Sequence, residues 1–219
     1  MNRSTRLARV ARLAAASAML ASVSALGGRA LGAQVQAGAK VGPGGDYPYT
    51  AADVYFMSGM IPHHAQAVLI AGWAPSHGAS EDVQRLCERI VVAQRDEIAL
   101  MRNWLEDRHE QVPDSNATHM RMNMGGMTHD MLMPGMLNDE ELAQLDKSRG
   151  VEFDKLFLAD MIKHHQGAVS MVNDLFGTNG AGQDEVVFRF ASDVYADQTT
   201  EIDRMQKMLA AKSGQARTP

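Results

Sequence analysis

Asp53-Val-Tyr-Phe56-Met-Ser-Gly-Met60-Ile-Pro-His63-His64-Ala-Gln-Ala67-Val68 is written a second time, 101 residues later, as Asp154-Lys-Leu-Phe157-Leu-Ala-Asp-Met161-Ile-Lys-His164-His165-Gln-Gly-Ala168-Val169. The shared positions are Asp, Phe, Met, Ile, His, His, Ala and Val. A second pair follows at an offset of 104. Gln94-Arg-Asp-Glu97-Ile98-Ala-Leu-Met101 matches Gln198-Thr-Thr-Glu201-Ile202-Asp-Arg-Met205, and Leu105 matches Leu209. Two matched blocks in the same order make the chain one unit used twice, and that repetition organises the fold.

The blocks read as helices. Ser80 followed by Glu81 and Asp82 is a helix start with acids in its first turn. From there Val83, Cys87, Ile90, Val91, Gln94, Ile98, Met101 and Leu105 keep the three-and-four spacing of one helix face. Asn138 with Glu141 caps a short helix ending near Gly150, and the Asp154 helix begins just after it. Each repeat is then a helical hairpin, with turns around 73–80 and 176–183. Two hairpins bury four apolar stripes as an all-α four-helix bundle over residues 50–211. Its parts are a hairpin over 50–108, a Met-rich connection over 109–137 and a second hairpin over 138–211. Residues 34–49 read as a flexible lead-in and 212–219 as a disordered tail. Pro62 lies inside the first His-His helix and is expected to kink it.

At 100° per residue, Asp53, Met57, Met60 and His64 form one stripe, repeated by Asp154, Met161 and His165. His63 and His164 sit about 100° to one side, so the two histidines of a pair face the interior only obliquely. On the partner helices Gln94, Glu97 and Met101 share a face, as do Gln198, Glu201 and Met205. Thioether and imidazole together suit copper and its change between Cu(I) and Cu(II). The doubled histidine pairs His63, His64, His164 and His165 are therefore candidate ligands, whereas Met60 or Met101 taken alone reads first as core filling. Glu97 and Glu201 either ligate or accept an imidazole N–H and orient the ring. Asp53 and Asp154 read equally as acids favoured in a first turn. Cys87, on an apolar face, reads as a small buried hydrophobe, and His77 and His109 as solvated loop or helix-end residues.

The connection carries His119, Met120, Met122, Met124, Met127, His129, Met131, Met133 and Met136, seven of the sixteen methionines in one window. It has no helical period, so its thioethers are not a core stripe. They read as a flexible catcher of Cu(I) or Ag(I), or as an adaptable surface for a partner protein.

Arg3, Arg6, Arg9 and Arg12 precede an apolar run from Leu13 to Leu26 and then small residues, with Val23-Ser24-Ala25 or Leu31-Gly32-Ala33 before a cleavage point. That order predicts a cleaved signal peptide over 1–33 and a periplasmic or secreted protein without stable membrane insertion. Without it the net charge goes from −5 to −10, because five arginines and no acid are lost. An acidic chain attracts cations and repels nucleic acid. One cysteine in the chain excludes an internal disulfide.

The F-x-x-x-M-I-x-H-H-x-x-A-V blocks, the Q-x-x-E-I-x-x-M blocks and Met133-Pro-Gly-Met136 resemble the bacterial domain-of-unknown-function-305 family. The resemblance, over roughly 50–211, implies a ferritin-like helical bundle, export, and a copper-binding or copper-tolerance role as in members of the CopM type. By matching position it implies Met60, His63, His64 and Met101, with Met161, His164, His165 and Met205, as ligands.

Three functions follow as alternatives. The first is a non-catalytic protein that sequesters or chaperones copper, with silver as a mimic and another periplasmic metal-handling protein as recipient. The second is a ferritin-like di-metal (iron) oxidase, for which few carboxylates converge: the helices offer Met-x-x-His-His and Gln-x-x-Glu where a di-iron site uses Glu-x-x-His. The third is a helical interaction module without metal. No glycine-rich phosphate loop, C-x-x-C pair or nucleophile elbow is present.

Overall fold

The computed structural model describes residues 48–124 and 127–215. The expected signal segment 1–33 and all but the end of the lead-in 34–49 lie outside the described residues. The elements are α1 (Ala51–Ala71), α2 (Glu81–Asp107), β1 (Met120–Met124), β2 (Met127–Met131), α3 (Asp139–Lys147), α4 (Gly150–Gly177) and α5 (Glu185–Gln215). The fold is mostly helical. α1 packs on α2, α4 on α5, and α1 on α4, while α3 rests against α4. The two expected hairpins are thus joined along α1 and α4. No helix among the described residues is long and apolar enough to cross a membrane.

Local signals account for most boundaries. Thr50 and Asp53 form a capping box at the start of α1, and Asn138 and Glu141 form one on α3. α1 continues unbroken through Pro62. Ser80 precedes α2 as expected, yet its hydroxyl makes no bond to that helix's first amides. It donates instead to the Asp154 carboxylate of the other repeat.

Asp53 and Asp154 hold the repeats together. Asp154 Oδ1 accepts from the Ser80 amide at 3.1 Å, and Asp53 Oδ1 accepts from the Gly182 amide at 2.7 Å. Each aspartate therefore grips the turn of the opposite hairpin. Both are buried, and every such bond removes an amide that would otherwise lie unsatisfied. Their place is at the hairpin ends, away from the histidines.

The connection, expected to be irregular, contains a two-stranded antiparallel ribbon. Met120 pairs with Met131, Met122 with His129, and Met124 with Met127. Its methionines share no helical period because they alternate on strands. The lead-in ends anchored, since Tyr49 is buried with its ring 5.4 Å from that of Trp104. α5 runs into the expected tail as far as Gln215, and Lys212 explains it, holding Asp154 at 2.9 Å and Asp82 at 3.2 Å.

Asp160 on α4 is half-buried, and burial followed by the nearby Glu141 carboxylate raises its carboxyl to about 6, against the opposing pull of Lys163. An unfolded aspartate titrates near 3.8. The folded chain therefore keeps a proton through a window in which the unfolded chain has lost it, and stability falls as pH rises from about 4 through 6. Asp160→Asn is expected to melt above the parent at pH 7.5, with the gap closing at pH 4. Thermal melts at the two pH values check this, and an equal gap at both contradicts it.

Candidate metal centre

Along α1, the apolar positions before the histidines (Phe56, Met57, Met60, Ile61) belong to one buried cluster with Met101 and Trp104. After them Ala65 still belongs to the first, while Ala67, Ile70 and Ala71 belong to a second, with Ile90, Phe157, Met161 and Met205. α4 runs through the same clusters in the reverse order, changing over at His164 and His165. α2 changes over at Gln94 and α5 at Gln198. A polar layer of four histidines and two glutamines thus crosses the middle of the core, apolar on both sides. All four imidazoles are fully buried.

Across the α1–α4 contact the His63 and His164 rings lie with centroids 3.8 Å apart. His63 Nε2–H donates to the Pro134 carbonyl at 3.0 Å, which leaves Nδ1 as the lone-pair nitrogen. His165 Nε2 pairs with Glu201 Oε2 at 2.8 Å, and His64 Nε2 lies 2.7 Å from Glu97 Oε2 without hydrogen-bond alignment. The two halves repeat each other. Nδ1 of His63, His64, His164 and His165, and Nε2 of His64 and His164, have no hydrogen-bond partner. Burial, then the neighbouring His64, pushes His63 down to about 3, the Pro134 carbonyl only partly opposing. Burial, then His63, His165 and His64, holds His164 well below its ordinary value. Both rings are neutral near pH 7 and keep unshared electron pairs.

The oblique placement expected for paired histidines is corrected. A helix with neighbours on two sides has two interior faces, so residues 100° apart are both buried. His63 and His164 point at each other, while His64 and His165 point at the glutamates of α2 and α5. Met60 and Met101 share the first apolar cluster and Met161 and Met205 the second. In the Met-rich window, Met120, Met133 and Met136 are buried in the first cluster, contrary to the expectation that the window stands outside the core. Gly59 makes room for two of them, since a Cβ there would sit 2.7 Å from Met133 Cε and 3.5 Å from Met120 Sδ. His119 is half-buried, and His129 and Met131 are exposed. The side chains of Met122, Met124 and Met127 lie outside the described residues.

Two residues that close the layer were not singled out in the sequence. Gln66 bonds both polar groups of Leu137, donating to its carbonyl at 2.9 Å and accepting from its amide at 2.7 Å. Gly167, its counterpart in the second repeat, leaves room for Pro134 and Gly135 against α4. Together they seat the Met-Pro-Gly-Met loop over His63. The signal was there, as the 66/167 pair breaks the repeat beside the histidines. His77 is also corrected: it is buried, Nε2 donates to the Asp146 carbonyl at 2.9 Å, and its ring stacks on Trp73. His109 is exposed, with φ of 56° just past α2. Cys87 is buried, and burial followed by Asp154 raises its thiol to about 12, so it stays protonated. Among the described residues no three His, Cys, Asp or Glu side chains form a ligand set for one ion. The core itself supplies imidazoles in the layer and thioethers in the clusters on either side of it.

The family described as Domain of unknown function (DUF305) matches residues 53–209. A DUF305 protein of Streptomyces coelicolor is similar at 28% identity and a TM-score of 0.62, covering 74% of this chain and 94% of that one. A DUF305 fragment from Deinococcus radiodurans is similar at 26% and 0.62, covering 74% and 98%. CopM in the Cu(I)-bound form is similar at 25% and 0.55, covering 73% and 96%. An uncharacterised protein of Acanthamoeba polyphaga mimivirus is 30% identical over 59 residues, 27% of this chain and 39% of that protein. The match thus covers well under half of that viral protein's length.

Proposed function

This chain belongs to the DUF305 family, and we propose that it is an exported, non-catalytic protein that captures copper ions for sequestration or transfer. The observation that carries the reading is the set of six unpartnered ring nitrogens on four fully buried histidines. An unsatisfied polar atom in a core costs about 1–3 kcal/mol. A layer of them between two apolar clusters is retained for something that binds there. Neutral imidazole is a good ligand for copper, and nearby thioethers favour Cu(I). Copper here is cargo.

The carboxylates of Glu97 and Glu201 lie against Nε2 of His64 and His165, the place of groups that orient a ligating ring and leave Nδ1 for the metal. This favours orientation over direct ligation for the two glutamates. Met60 and Met161 stand three residues before His63 and His164, where a di-iron bundle places glutamate. That weighs against the iron oxidase. The similarity to CopM in its Cu(I)-bound form supports the copper reading. Export is supported by the basic and then apolar order of residues 1–33.

The test is metal content and titration of the purified chain. Cu(I), and Ag(I) as its redox-inert stand-in, are expected to bind at more than one ion per chain, with no ferrous-dependent oxygen uptake. A chain that retains no copper-group metal, or that consumes oxygen with ferrous ion, overturns the proposal.

A further inference from the structure

α1 and α4 close over His63 and His164, but the opposite side of the layer is open. Between α2 and α5 lies a cleft of about 230 Å³, lined by Gln94, Glu97, Asp197, Gln198 and Glu201 among others. The repeat puts the same polar face on both helices, so the two carboxylate-amide faces meet each other and leave a gap that apolar side chains would fill. Gln94 and Gln198 are 2% and 4% exposed, and the carbonyl oxygen of each has no hydrogen-bond partner. Two buried amide oxygens left open in one cleft are acceptors awaiting a donor or a cation.

Charge agrees with this. Asp197 is raised by its partial burial and then by Glu97, Asp193 and Glu201, so the carboxylates are close enough to repel one another. The cationic group in the lining is Arg89, which is half-exposed and pairs with the other oxygen of Glu201 at 3.3 Å. Glu97 and Glu201 span the two environments, since each lines the cleft and touches a buried histidine.

We propose that the α2–α5 cleft is a vestibule that holds a hydrated divalent cation, its water shell bonded to oxygen atoms of Gln94, Glu97, Asp197, Gln198 and Glu201, before the ion reaches the buried imidazoles. For copper the inference rests on the capture function above. Oxygen ligands suit a partly hydrated Cu(II) ion, and nitrogen and sulfur beyond them suit the ion once water is lost. A cleft lined by one sign of charge raises the local cation concentration and speeds association.

The experiment uses the whole chain and two probes. Mn(II), which prefers oxygen ligands, is added during nuclear magnetic resonance. The amide signals of residues 94, 197 and 198 are expected to broaden first, and Asp197→Asn to weaken that broadening. Asp197 is exposed, so this variant is expected to fold. Stopped-flow uptake of Cu(II) is expected to slow about threefold in Asp197→Asn at low salt. In the triple variant with Gln94→Leu and Gln198→Leu it is expected to slow about tenfold or more, the lower end of electrostatic steering. Absence of Mn(II) broadening in the cleft, or equal uptake rates in Asp197→Asn and the parent, overturns the vestibule. Mn(II) broadening in a chain that takes up no copper upholds the vestibule and overturns the capture function instead.

Discussion

Replacing His63 and His164 together by leucine is expected to give a chain that folds without metal at least as stably as the parent and gains no melting temperature from silver. The two rings carry three of the unpartnered nitrogens, Nδ1 of both and Nε2 of His164. Each costs about 1–3 kcal/mol while buried and unbonded. Leucine is of similar volume and joins the apolar clusters on either side. The Pro134 carbonyl loses its donor, a cost in the same range of about 1–3 kcal/mol that the three relieved nitrogens together exceed. For the parent, a ligand at a hundred times its dissociation constant adds about 2.7 kcal/mol. In a chain of this size that raises the melting temperature by about 5–10 °C. Differential scanning fluorimetry with and without Ag(I) reads both effects. A double variant that keeps the silver shift removes the imidazole pair from the function, and one that melts far below the parent shows the pair to be structural.

The second large effect concerns a residue with no side chain. In Gly167→Ala the new Cβ would lie 1.9 Å from the Pro134 carbonyl oxygen and 2.4 Å from its carbon. Both are backbone atoms, so the loop must leave α4 rather than rotate a side chain. Its displacement pulls on Met133, Met136 and the carbonyl that holds His63. The expected loss is about 3 kcal/mol, the upper range for overpacking, or about 6–12 °C in melting temperature. Gly177→Ala is the control, because a Cβ there meets nothing within 4 Å. A melting temperature for Gly167→Ala within 2 °C of the parent would show that the loop is not anchored there.

How much of this was legible in the sequence follows from distance along the chain. Helix boundaries depend on neighbours within four residues, so the Asn138–Glu141 cap could be read directly. The spacing of apolar residues likewise marked the buried faces. In the ribbon at 120–131, Met120-Arg-Met122-Asn-Met124 does alternate as a strand does, but Met127-Thr-His129-Asp-Met131 is apolar only at its ends, so the sequence marks one strand of the pair and not its partner. The three buried methionines of that tract were misplaced for a related reason. For Met120 and Met133 burial depends on the gap at Gly59, more than sixty residues away.

The site shows the same division. The duplicated His-His and Gln-x-x-Glu blocks are a property of the sequence alone, as are the helical hairpins and the family resemblance they carry. Which face each histidine takes was decided only in three dimensions. Helical periodicity gives the angle between two residues but not the number of neighbours a helix will have. Packing α1 against both α2 and α4 buried His64 and His63 together and set the latter on His164. It also turned Asp53 and Asp154 into clasps between the hairpins. The polar layer and the cleft beside it exist because two like faces were brought opposite each other, and no single helix contains that information.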